Sequence, residues 1–340
     1  MASLFLCKIT MFLISLCIVL TGCQNKEEPS PPAQTTLFSS NVMTIDYRII
    51  IGEALSLEKK KSIDAIVQST FEFINLIYNK WNPDSELSRL NRLQAGVFAT
   101  ISPDLEQFLW ETQQIVELSG GRFDPTIEPL QRLWKEKLAS GQAPSNAEIN
   151  AILPAIGWNK IHFGDGLFYK EHHLTMLDLS GIAKGYCVDL LVERLNAAGY
   201  PNVYVEWGGE IRASGHHPNN RPWQVFISRL GDANPNTAVS HVGLINQAIA
   251  TSGDYLQNWS LGQEDPKYFH IFDPQTGYPL TITDKSIASA SVLAPTCAFA
   301  DGLATALMTF PSVEAAESWA SAVRETFPAT EFWIISRNIK

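Results

Sequence analysis

The chain has 340 residues, 45% of them hydrophobic and 18% charged, the balance of a globular protein able to bury a large core, which excludes bulk disorder. Its formal net charge of -10 excludes a polybasic surface for nucleic acid or anionic lipid. A negatively charged ligand would need its cations supplied locally, by lysines or a metal.

Residues 1–22 read as a targeting segment. Lys8 and the terminal amine precede the apolar run ITMFLISLCIVL, roughly 12 residues, too short for a helix across ~30 Å of hydrocarbon but suited to a signal-peptide core. LTGC at Leu20–Cys23 resembles the lipobox of bacterial lipoproteins, which implies cleavage before Cys23 and lipid on its sulfur and amine. A plain secretory signal with a coincidental cysteine is the alternative. Gln24 rather than aspartate follows the cysteine, so the expected location is the periplasmic side of a bacterial membrane, the outer one in preference to the inner. The mature chain keeps Cys187 and Cys297 besides Cys23. These two are too few for a disulfide scaffold and read as small buried thiols. Residues 23–41 are expected to form the lipidated cysteine and a polar, proline-rich tether, and 42–340 the folded domain.

Within that domain, TIDYRIII alternates as a strand. Leu57 to Trp81 carries apolar residues at Ile63, Ile66, Val67, Phe71 and Ile74, the spacing of a helix packed on one face. In WNPDSELSRLN, Pro83 breaks the chain and Asp84 or Ser85 can cap a short helix. PDLEQFLWETQQIVELSGG predicts an amphipathic helix stopped by Gly120 and Gly121. Farther on, HLTMLDL, NVYVEW, WQVFIS, AIAT, SIASASVLA and EFWIIS read as strands. AKGYCVDLLVERLNAAG, CAFADGLATALMTF and SVEAAESWASAVRET read as helices. Strands in runs with helices between the groups predict an α+β fold, antiparallel or mixed sheets with flanking helices, in two lobes around a cleft.

Four groups of residues carry chemistry. DLSGIAKGY, from Asp178, places glycines at 181 and 185, where each weakens a helix by roughly 1 kcal/mol relative to alanine. Something must approach that backbone closely. Free N–H groups at a helix start near Ala183, with Lys184 beside them, form an anion site; a capped helix with an exposed lysine is the alternative. In FADGLATAL, Asp301 and Thr305 lie four residues apart on one helix face. A carboxylate and a hydroxyl suit a hard cation shared with phosphate oxygens, Mg²⁺ best, or else a cap and a back-bonded threonine. In HIFDPQTGYP, Pro274 and Gly277 make a turn, and His270 is either a general base or a structural histidine. Trp81 and Phe123 can wall an aromatic ring system, and Gly208 and Gly209 let a backbone approach a ligand; core packing at a turn would explain them equally.

Taken in order, WNPDSELSRLN, GGRFDPT, LDLSGIAKGYCVD, WGGEIRASG, ATSGDY, HIFDPQTGYP and ADGLATAL resemble the ApbE family, the FAD:protein FMN transferases, from about Met43 to near Met308. The resemblance implies FAD in the cleft, with Mg²⁺ at its pyrophosphate held by Asp301, Thr305 and a carbonyl of the DLSG turn, placed at Gly181. It implies FAD contacts at Met43, Trp81, Arg122, Phe123, Asp124, Asp178, Lys184 and Ile271, and a catalytic pair of Lys184 with His270 as base. Here Thr44 stands where the family commonly has glycine, and Trp81 where tyrosine is frequent. The implied reaction transfers FMN from FAD to a Ser/Thr hydroxyl of an acceptor flavoprotein, releasing AMP. The membrane is met only through the lipid, and no nucleic acid is involved. A Mg²⁺-dependent FAD pyrophosphatase and a non-catalytic FAD-binding lipoprotein are the alternatives.

Overall fold

The computed structural model of the chain describes residues 34–232, 234–253, 258–260, 267–283 and 285–337. The signal segment, Cys23 and most of the tether lie outside the described residues, as do Asp254 and Tyr255 of the ATSGDY stretch. Gln34–Lys340 form one compact unit, so the expected two lobes are met only as separate apolar clusters within it. The tether also ends before residue 41. β1 (Thr36–Val42) pairs antiparallel with β2 (Ile45–Ile51), a partner that the polar composition around it concealed.

Serines set most helix starts. Ser56 caps α1 (Leu57–Ile77) and Ser85 caps α2 (Glu86–Asn91), each accepting a first-turn backbone N–H, which satisfies a donor the helix itself cannot. β3 (Ala99–Thr100) leads to α3 (Pro103–Leu118), capped by Ser102 with proline in its first turn. Next come α4 (Glu128–Ala139), α5 (Asn146–Ile152), β4 (Ile161–Gly164) and β5 (Leu167–Lys170). The helix α6 (Ser180–Ala197) begins at Ser180 rather than near Ala183, so Gly181 lies inside its first turn.

HLTMLDL is not a strand. Its backbone groups find partners other than a ladder: Asn91 Nδ2 donates to the Leu177 carbonyl at 2.9 Å, and the Leu177 N–H donates to Asn91 Oδ1 at 2.7 Å. The Asp178 N–H donates to the Pro125 carbonyl at 2.7 Å. The buried Lys170 ammonium donates to the carbonyls of Asn91 and Thr175 at 3.0 and 2.6 Å. Asn91, at the end of SELSRLN, therefore fixes the residue that precedes Asp178.

The remaining elements complete a seven-stranded sheet. They are β6 (Val203–Trp207), β7 (Glu210–Ser214), β8 (Trp223–Ile227), β9 (Ser240–Leu244), β10 (Gln247–Gly253), β11 (Asn258–Trp259), β12 (Tyr268–Phe272), β13 (Pro279–Thr281) and β14 (Ile287–Ala294). Then follow α7 (Cys297–Met308), α8 (Val313–Thr326) and β15 (Glu331–Ser336). The sheet order is β1-β2-β6-β7-β10-β14-β15, every neighbour antiparallel. One face carries Ile49, Ile51, Val203, Val205, Ala248, Ala250 and Val292 into the main core with α1, α3, α6 and α7. The other face, with Tyr204, Ala213, Ile249 and Leu293, is covered by the β8–β9 hairpin. β14 is buried along its whole length, as its unbroken small and apolar run requires of a strand covered on both faces. A separate sheet, β11-β12-β13, adjoins a third cluster in which Phe272 meets Leu130, Trp134 and Ile149.

Gly185 shows what comes close to this backbone. A Cβ there would stand 2.4 Å from the Cys297 carbonyl oxygen, so the missing side chain lets α6 and α7 cross in contact. Gly185→Ala should therefore part the two helices and cost about 2–3 kcal/mol, read as a lower urea midpoint; an unchanged midpoint would show that the crossing has slack.

Candidate active site

The strand register brings several turns to one end of the sheet. The β1–β2 turn (Met43, Thr44) and the β6–β7 turn (Gly208, Gly209) are adjacent there, because Tyr47 pairs with Trp207. The Ser252 end of β10 joins them, since Ile249 pairs with Ile211. Met43 and Thr44 have φ of 52° and 66°, the left-handed values of a two-residue hairpin turn. Neither residue adopts them without cost. Gly208 and Gly209 take φ of 69° and 102° in the second hairpin, and a Cβ on Gly208 would lie 2.8 Å from Ile45 Cγ2 and 3.8 Å from Lys184 Cδ. Gly208 seats the turn against Lys184.

Helices α6 and α7 supply the chemistry at this end. Asp301 and Thr305 face α6 from consecutive turns of α7. The Gly185 N–H donates to Asp301 Oδ2 at 3.0 Å; a regular helix points that same N–H at the Gly181 carbonyl. Thr305 Oγ1 lies 3.4 Å from that carbonyl oxygen and 3.3 Å from Ser252 Oγ. Carboxylate, hydroxyl and carbonyl thus converge on one corner. Below it, Phe123 is buried, and a Cβ on Gly181 would touch its ring at 3.1 Å and Thr305 Oγ1 at 3.2 Å. Here, too, glycine permits close packing.

Lys184 pairs with Glu210, the first residue of β7. Burial alone would lower the lysine pKa, but Glu210 and Asp301 outweigh it and raise the pKa well above the ordinary value. Burial pushes Glu210 up to about 8 despite Lys184, with Asp301 adding to the rise. Burial likewise raises Asp301, opposed by Lys184 and the Gly185 N–H. Glu210 is 1% exposed, and its Oε2 has no hydrogen-bond partner among the described residues. Two buried carboxylates lie near one ammonium, so a proton or a cation must balance the second of them. Among the described residues no three His, Cys, Asp or Glu side chains group as a metal site. The oxygen set of one carboxylate, one hydroxyl and one carbonyl is a different kind, and it fits a hard cation that completes its shell with water and phosphate.

Helix α7 is held from outside its own turn. Thr296 gives no side-chain cap; Asp189 of α6 instead accepts the Cys297 and Ala298 N–H groups, both at 2.8 Å, and pairs with Arg212. Cys187 and Cys297 are both buried free thiols, as expected.

The side chains at the other expected positions each have their own surroundings. Trp81 is 67% exposed, an open aromatic face, with the ammonium groups of Lys80 and Lys135 at 4.9 and 4.5 Å from its ring centroid. Asp178 is buried, its Oδ1 accepting the Ser180 N–H at 2.9 Å and its Oδ2 a hydrogen bond from Lys80 at 2.8 Å. Burial would raise its pKa, but Lys80 and these hydrogen bonds hold it below the usual carboxylate range. The expected side-chain roles differ along 122–124. Arg122 donates to the Thr309 carbonyl at 2.9 Å and lies over Phe310. Phe123 is the floor of the α6 turn rather than an open wall. Asp124 Oδ1 accepts the Thr126 N–H and hydroxyl at 2.8 and 2.7 Å, closing an Asx turn, and burial raises its pKa. His270 stands exposed on β12 with its ring 4.3 Å from that of Phe269, while Ile271 packs toward the main core. Residues absent from the expected set are Lys80, Glu210 and Ser252. Only Glu210 carried a signal, as the acid beside the paired glycines.

This geometry matches known proteins over nearly the whole chain. The ApbE family model matches residues 43–328. The FAD:protein FMN transferase of Chlamydia pneumoniae is 41% identical over 312 residues, 91% of this chain and 93% of that protein. That of Vibrio cholerae is 30% identical over 294 residues, 86% of this chain and 84% of its own. Among solved structures, the flavin transferase ApbE from Vibrio cholerae superposes with a TM-score of 0.76 at 28% identity, covering 91% of this chain and 95% of that one. The Pseudomonas stutzeri flavinyl transferase ApbE in its apo form gives 0.77 at 26% identity, covering 90% and 92%. With a helix crossing that gathers Asp301, Thr305 and Gly181 beside Lys184, and with this similarity along its length, the chain belongs to the ApbE family.

Proposed function

We propose that this protein transfers FMN from FAD to a serine or threonine hydroxyl of an acceptor flavoprotein, with Mg²⁺ held at the α6–α7 crossing. The observation that carries the reading is the convergence of Asp301, Thr305 and the Gly181 carbonyl next to the buried Lys184–Glu210 pair. A cation bound there would neutralise charge on the pyrophosphate oxygens. Lys184 supplies a second positive charge on the same side, fixed by Glu210, and its contribution is positioning and electrostatic. Trp81 offers the stacking face for a flat ring, and Asp178, ionised and acceptor-only, meets a donor of the dinucleotide. His270 accepts the proton of the attacking hydroxyl. The hydroxyl oxygen bonds to the FMN-side phosphorus, the bond to the AMP oxygen breaks, and AMP leaves.

The test is incubation of the purified protein with FAD, Mg²⁺ and an acceptor fragment. Acceptor mass should rise by one FMN unit, with one AMP released per event. AMP and free FMN with no acceptor adduct would indicate hydrolysis, and tight FAD binding without AMP a carrier. The lipid anchor at Cys23 belongs to the same reading: Cys23→Ala should move the protein from the membrane to the soluble periplasmic fraction, and retention in the membrane would refute it.

A further inference from the structure

Lys80 is a buried charge near the cluster that the reaction above does not use. Its side chain is 7% exposed, and Nζ donates to Glu128 Oε2 at 2.5 Å, Gln131 Oε1 at 2.8 Å and Asp178 Oδ2 at 2.8 Å. An ammonium has three hydrogens and all three are engaged, so Lys80 has none to offer a ligand. Its partners come from α4 and from the entrance to α6. Its chain neighbours carry the link further. Asn79 Oδ1 accepts the Trp81 N–H at 3.0 Å, and Asn79 Nδ2 reaches Met43 Sδ at 3.8 Å. Residues 79–81 thus join the β1–β2 turn, the exposed Trp81 ring and the buried Asp178 carboxylate, parts that lie far apart in the chain.

We propose that Lys80 is a positioning residue for the dinucleotide, fixing the Trp81 stacking face and the Asp178 acceptor at one separation before the ligand arrives; this rests on the FAD reading above. Holding two recognition groups in advance removes the ordering cost from binding. Burial makes the tie strict, because without its ammonium Asp178 would be a buried carboxylate lacking its counter-charge. Lys135, on the same indole but exposed at the surface, can swing aside for an incoming ring, whereas Lys80 cannot.

The experiment compares the full mature chain with Lys80→Met and Lys80→Arg, using FAD as the fluorescence-titration probe and FMN transfer for KM and kcat. Lys80→Met should raise Kd and KM for FAD about tenfold or more, with kcat at saturating FAD within about twofold, the mark of lost binding common to ground and transition states. Lys80→Arg keeps a charge beside Asp178 and so keeps the fold if methionine does not. Its longer planar head should displace Trp81 and raise Kd about threefold. A variant with a native circular dichroism spectrum and wild-type Kd would overturn the proposal, as would a fall in kcat at unchanged KM. Failure of the wild type to bind FAD would instead sink the flavin reading beneath it, so the two failures are told apart by the unmutated protein.

Discussion

Asp301→Asn is expected to lower FMN transfer on the order of a thousandfold, the scale set by removing one group that stabilises developing charge. Asparagine keeps an acceptor for the Gly185 N–H, now 3.0 Å from Asp301 Oδ2, so the helix crossing should survive. What disappears is one of the two buried carboxylates competing for Lys184. The variant should therefore be as stable as the wild type, or more so, in chelator-treated buffer. Adding Mg²⁺ should raise the wild-type melting temperature, since a ligand that binds only the folded state stabilises it, and leave that of the variant in place. Undiminished turnover by Asp301→Asn, or an equal Mg²⁺ response from both proteins, would reject the cation assignment.

His270→Asn should leave FAD affinity unaltered and slow transfer about a hundredfold to ten-thousandfold, the usual contribution of a general base. The residue is exposed on β12, and a native circular dichroism spectrum of the variant checks that the fold is kept. Single-turnover rates at saturating FAD and acceptor isolate the chemical step from product release. A wild-type rate would remove His270 from the reaction and leave the hydroxyl proton to another group or to solvent. Together the two variants test the two proposed roles separately, Asp301 on phosphate charge and His270 on the acceptor.

Several features were legible because they are local. The four-residue spacing of Asp301 and Thr305 guarantees a shared face on any helix, and α7 has it. The apolar period of α1 predicted its packed face, and SIASASVLA read as the strand that β14 is. By contrast, the reading of residues 173–179 as a strand failed although the residue pattern suited one. Asn91, Pro125 and Lys170 had already claimed its backbone groups, and nothing in the stretch itself discloses distant partners.

Residue types and short spacings were enough to single out candidates: a carboxylate and an alcohol that suit a hard cation, a lysine at a glycine-lined helix start, a histidine beside a rigid turn. Tertiary structure alone decided what each side chain faces. It set Glu210 against Lys184, Lys80 beneath Asp178 from 98 residues away, and Asp189 at the mouth of α7. It also reassigned Gly185 from a ligand's approach to the passage of Cys297 across α6. The reason is physical. Periodicity follows from backbone geometry that every residue shares, whereas the pairing of buried charges depends on which strands and helices meet, and only the packed core determines that.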